Sequence, residues 1–155
     1  MRAIKILLVA GMALYLTLAA LGDIAMPQSA FRSVAAAVGM QGTAQQAMWR
    51  AIEDPILVWL VLGLIVLLEL VGAGLCWVGA ARMWATRRSS TPFTVAKRTA
   101  QLGLGVTACL YFIGYLAIAQ EYFMMWQNVE IDVLPDAFRM FASAALISLW
   151  LSVDD

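Results

Sequence analysis

Residues 56–81 read ILVWLVLGLIVLLELVGAGLCWVGAA, and Glu69 is the one charged residue among them. As an α-helix rising about 1.5 Å per residue, this run crosses a hydrocarbon core of about 30 Å with length to spare. Its reading decides the fold, because so long an apolar stretch suits a membrane span and little else. It also isolates Glu69 near the bilayer midplane, where insertion scales charge about 2.5–3.5 kcal/mol for an acid. A carboxyl at that depth is expected to face protein or water and to mark a functional or partner-contacting position.

Working outward, three further segments meet the length criterion, so spans are expected at about 6–22, 55–83, 99–119 and 137–153. The composition agrees: 63% of residues are hydrophobic and only 13% charged, with a mean hydropathy of +0.84. The expected fold is therefore an all-α membrane protein, a four-transmembrane-helix bundle forming one integral domain over 1–155. Arg2 and Lys5 followed by apolar residues and then Ala20 and Gly22 also match a signal peptide. The apolar stretch exceeds a typical signal core, and its removal would leave an odd number of spans, so an uncleaved anchor is expected.

Loop charges set the orientation. Arg2, Lys5, Arg82, Arg87, Arg88, Lys97 and Arg98 fall on one side, against Asp154 and Asp155. The other side holds Asp23, Glu53, Asp54, Glu121, Glu130, Asp132 and Asp136, against Arg32, Arg50 and Arg139. The positive-inside rule then places both termini and the 82–98 loop in the cytoplasm, with the two acidic loops facing the periplasm or exterior. Trp49, Trp59, Tyr122 and Trp126 on one side, and Trp77, Trp84 and Trp150 on the other, suit two interfacial belts. The long first periplasmic loop is expected to carry short surface helices at 33–38 and 43–52, broken at Gly39 and Gly42. Pro55 fits the first position of span two, with Glu53 and Asp54 complementing its positive end.

Composition also excludes chemistry. With no histidine in the chain, bis-His haem, His-ligated metals and the Ser–His and Cys–His couples of hydrolases are ruled out. Cys76 and Cys109 lie in apolar runs and read as small buried hydrophobes. No phosphate loop or nucleophile elbow is present, and no basic patch suits a nucleic acid. No catalytic group, cofactor or metal is expected, and the chain reads as no enzyme.

Small residues mark the helix contacts. Gly72, Ala73, Cys76, Gly79 and Ala80 share the Glu69 face of span two, which allows a close neighbour. A matching seam on span three is expected along Gly103, Thr107, Leu110, Gly114, Ala117 and Glu121. No cation lies in the apolar interior to pair with Glu69, so desolvation there favours a neutral acid, bonded to a carbonyl, Thr or Tyr. Tyr15, Thr17, Thr107, Tyr111 and Tyr115 are within the candidate spans. At the outer interface, Glu121 lies close in sequence to Met124, Met125 and Trp126, and Arg139 is its expected ion-pair partner.

Trp49-Arg50-Ala51-Ile52 followed by Pro55, Glu69 in mid-span, Ala96-Lys97-Arg98, Glu121-Tyr122-Phe123-Met124-Met125-Trp126-Gln127 and Ala137-Phe138-Arg139 form a recognisable series. On these residues the chain resembles the bacterial "predicted small integral membrane protein" family, a domain family of unknown function. The resemblance implies four spans over nearly the whole chain and assigns no activity. Candidate functional or partner-contact residues are therefore Glu69 in the membrane, and Trp49, Arg50, Glu121, Trp126, Gln127 and Arg139 at the outer face. Two roles stay open: an accessory or assembly subunit contacting the lipid bilayer and other membrane subunits, or a self-associating channel or proton-coupled transporter using Glu69. A lipid-acting enzyme at the Glu121–Arg139 face is a more distant third.

Overall fold

The computed structural model describes residues 1–43, 45–129 and 131–153; Glu130, Asp154 and Asp155, counted in the expected charge bias, lie outside them. Helix α1 spans Arg2–Ala25 and α2 spans Pro27–Val38. The break between them follows from Pro27, because a residue before proline is disfavoured in helical backbone. Met26 accordingly sits at φ −124°, ψ 58°. A 3₁₀ turn at Gln45–Arg50 leads to α3, Pro55–Thr86. Asp54 caps α3, its Oδ1 accepting a hydrogen bond from the Ile56 amide at 2.8 Å, and Pro55 takes the first turn, as expected. After a tight turn comes α4, Ser90–Cys109, which runs on without a break as a π-helix over Leu110–Tyr122. A 3₁₀ turn, Met125–Gln127, precedes α5, Leu134–Ser152.

Four of these units are long and apolar enough to cross a membrane: Arg2–Ala25, Pro55–Thr86, Ser90–Tyr122 and Leu134–Ser152. No strand occurs among the described residues. The spans form a ring in which α3 packs between α1 and α4, while α5 packs on α4 and closes more lightly against α1. Their shared core contains Leu16 of α1, Cys76 and Met83 of α3, Leu104 of α4, and Ala144 and Leu151 of α5. Opposite faces carry exposed Leu60, Leu64 and Leu67 of α3, and Leu146 and Leu149 of α5. That is the inside-out pattern of a bundle whose outer surface meets hydrocarbon.

Close helix approach comes from missing side chains. A Cβ on Gly79 would lie 2.6 Å from the Ala100 amide nitrogen, and one on Gly103 would lie 2.7 Å from Cys76 Sγ. The small-residue face of α3 is thus the α3–α4 contact, as the sequence predicts.

Three expectations change. The 82–98 loop shrinks to a short turn around Arg87–Ser89, because Phe93, Ala96, Lys97 and Ala100 recur at helical spacing and bury one face of an earlier-starting α4. The seam on the third span follows the prediction only through Gly103, Thr107 and Leu110. Beyond that, wider π-helical turns rotate Ala117 and Glu121 outward and bring Gln120 in. Cys76 is buried as expected, whereas Cys109 is exposed on the outer face of α4.

At the end that holds the first residue, basic side chains tie the bundle together. Lys5 and Lys97, both buried, donate to the Val153 carbonyl at 2.6 and 3.2 Å, and Arg2 donates to the Arg87 carbonyl at 2.9 Å. The two ammonium groups meet the carboxyl-terminal end of α5, where the helix dipole presents partial negative charge.

Candidate functional site

Glu69 stands fourteen residues into α3, about 21 Å along the helix axis from Pro55 at 1.5 Å per residue. Only 3% of it is exposed, so it faces its own bundle and not lipid. The same face carries Leu62, Gly72, Ala73 and Cys76, all buried. Its Oε2 has no hydrogen-bond partner among the described residues. A buried polar atom left this way is uncommon and calls for an explanation in the chemistry of the site.

Tyrosines surround it. Tyr111 lies within hydrogen-bonding reach of the Glu69 carboxyl, and Tyr15 of α1 reaches Tyr111 in turn. The Tyr111 and Tyr115 rings stack with centroids 5.3 Å apart. Four residues apart on the same helix, the two rings are neighbours on one face. Asp23, near the end of α1, is close enough to act electrostatically on both Glu69 and Tyr115. The two threonines expected as alternative partners are occupied by their own backbone. Thr107 donates to the Gly103 carbonyl at 2.9 Å, and Thr17 donates to the Ala13 carbonyl at 2.7 Å while accepting from Trp77 Nε1 at 3.1 Å.

A crevice of about 260 Å³ opens where α1 meets α2. Asp23, Ser29 and Ser33 supply its polar wall, and Leu62, Ile65 and Tyr115 its inner one. Ile65 precedes Glu69 by one helical turn on the same face, and the Glu69 side chain tilts along the helix toward it.

The second candidate group, at the loop end of the bundle, is brought together in part. Arg50 lies over the rings of Trp49 and Tyr122, at 5.1 and 5.3 Å, and donates to the Tyr122 carbonyl at 3.2 Å. The Asn128 side chain donates to the Gln41 carbonyl at 2.8 Å, with Gly42 packed against it at φ +76°. Together these contacts dock the first long loop onto the segment following the π-helix. Trp49 and Trp126 project from this platform, 76% and 50% exposed. Gln127 reaches back to Met124 Sδ, a residue in left-handed backbone at φ 54°.

Arg139 and Glu121 do not meet as expected. Arg139 pairs with Asp136 one turn earlier on α5, which needs no tertiary rearrangement, and the outward turn of the π-helix leaves Glu121 exposed. Next to it, Gln120 is buried and donates to Asp132 Oδ1 at 2.8 Å, and the same oxygen accepts from the Leu134 amide at 2.9 Å. The sequence places Asp23 only among loop charges and assigns Gln120 no contact. Periodicity gives no warning, because a helix of 3.6 residues per turn keeps Gln120 off the seam.

Neither a curated protein nor a solved structure matches the chain. A family model described as "Predicted small integral membrane protein (DUF2165)" matches residues 1–154. With four apolar helices of spanning length arranged around a common core, and that match over nearly its whole length, the chain belongs to this family of small multi-pass integral membrane proteins, whose activity is unknown.

Proposed function

We propose that the protein is a non-enzymatic accessory or assembly subunit of a larger complex in a bacterial inner membrane. In this reading both termini face the cytoplasm, and the platform of Trp49, Arg50, Tyr122 and Trp126 is its contact surface. One observation carries it. Trp49 is three-quarters exposed, yet its backbone belongs to a loop pinned by Arg50 and Asn128 to a second segment. Large aromatic anchors held rigid before binding lose little entropy on association, and Trp and Arg are the residue types that dominate such contacts.

Purification of the tagged protein in a mild detergent tests the proposal. Co-purification of a membrane protein, lost in Trp49→Ala together with Trp126→Ala, is the expected outcome. Migration as a lone protomer with no companion would sink it.

The rival reading is a self-associating channel or proton-coupled transporter, and the tyrosine-lined setting of Glu69 favours it. It expects a cation or proton flux in proteoliposomes that Glu69→Gln abolishes.

A further inference from the structure

We infer that Glu69 is a proton-binding site served from one end of the bundle, through the Tyr111–Tyr115 stack and the Asp23 crevice. Such a site is independent of the accessory-subunit reading, since exchange of a proton at one carboxyl requires neither a partner nor net flux.

Four observations converge. Glu69 is almost wholly buried and its Oε2 lacks a hydrogen-bond partner among the described residues, so one oxygen of the acid is available to a proton. Tyr111 stands at its carboxyl, and Tyr115 stacks on Tyr111 at 5.3 Å. Tyr115 lines the crevice and feels both carboxyl groups, Glu69 on one side and Asp23 on the other. The crevice itself, about 260 Å³, has room for several water molecules and a polar wall to hold them.

The opposite direction is closed. Past Glu69 toward the chain termini, the α3–α4 contact tightens to backbone against backbone at Gly72, Gly79 and Gly103. Thr107, the polar side chain there, spends its hydroxyl on the Gly103 carbonyl.

The chemistry of the donors selects a proton over a metal ion. Calcium takes six to eight oxygen ligands and magnesium a near-ideal octahedron. Among the described residues no three carboxylate, Cys or His groups gather closely enough to hold a metal ion. A proton needs one oxygen and a hydrogen-bonded route. In the proposed step a hydronium ion in the crevice beside Asp23 reverts to water, the hydroxyls of Tyr115 and Tyr111 each take up one proton and release their own, and the Glu69 carboxylate gains an O–H bond. The groups near Glu69 are Asp23 from α1 and Tyr111 and Tyr115 from the π-helix, with Tyr15 of α1 behind the two tyrosines.

Infrared spectroscopy of the reconstituted full-length protein tests this directly. The carbonyl band of a protonated acid is identified by its absence in Glu69→Gln, and its shift on transfer to D₂O gives the exchange rate. In the wild type the band is expected to exchange. Tyr115→Phe keeps the stacked ring and Asp23→Asn keeps the shape, and each should slow exchange about tenfold or more, equivalent to a barrier higher by about 1.4 kcal/mol. Thr107→Val, on the closed side, should leave the rate unchanged. The inference is overturned if no such band appears at any pH the fold tolerates, if the band never exchanges, if neither crevice variant slows it, or if Thr107→Val slows it instead.

Discussion

At the scale of single residues, the molecule keeps its polar groups at depth by two different means. Lys5 and Lys97 are buried, and each donates to the Val153 carbonyl that caps α5. A hydrogen bond with a charged partner contributes about 1.5–3 kcal/mol, so Lys5→Met should lower stability by roughly that amount. Lys97→Met should cost a similar amount, since its longer bond to Val153, 3.2 Å against 2.6 Å, is joined by its contact over the Phe93 ring at 5.4 Å. Reversible unfolding in detergent measures both, and equal stability of the double variant and the wild type would contradict the assignment. Glu69 is placed differently, with Tyr111 at its carboxyl and one oxygen without a partner among the described residues. Glu69→Gln preserves shape and a hydrogen-bonding group, so its stability should stay within about 1 kcal/mol of the wild type. A loss of several kcal/mol in the same assay would instead make the carboxyl an essential structural charge.

At the scale of elements, the α3–α4 contact and the π-helix shape the site. Gly79 permits α4 to approach until any side chain there would strike the backbone of Ala100. Gly79→Val should therefore destabilise the bundle by about 1–3 kcal/mol or more, as overpacking does. Gly63 and Gly74 lie on the same helix, and a methyl group added at either would meet nothing within 4 Å. Alanine at either should be neutral or stabilising by roughly 0.5–1 kcal/mol, which is the helix-propensity difference between the two residues. Similar losses at all three positions would show that glycine is needed for something other than helix approach. The small-residue pattern is legible in the sequence because 72, 76, 79 and 80 fall on one helical face. The π-helix is not, since nothing in the local apolar pattern of residues 110–122 distinguishes it from an α-helix.

At the scale of the whole molecule, four antiparallel crossings bring the first residues, the Arg87–Ser89 turn and Val153 to one end, and the Gly42 and Asn128 loops to the other. In the proposed orientation, with the positively charged loops inside, cysteine placed at Ser89 should resist a membrane-impermeant maleimide in intact cells and react after permeabilisation. Cysteine at Thr43 should react in both. The reverse pattern would invert the orientation and with it the side from which the Asp23 crevice opens. The assay runs best in a chain lacking Cys109, whose thiol is exposed on α4.

The sequence alone determined class, span number and the small faces, because hydrocarbon tolerates few charges and each apolar run long enough to cross it declares itself. It also singled out Glu69, since one acid in residues 56–81 stands out in any register. Tertiary structure decided what each polar group meets. Arg139 found Asp136 close at hand in preference to Glu121, and the 82–98 loop became mostly helix. Most consequentially, Tyr111 met Glu69, and the π-helix turned Gln120 into the core and Glu121 away from it. Such pairings depend on helix rotation and on distances between segments far apart in the chain, and neither quantity is written in local periodicity.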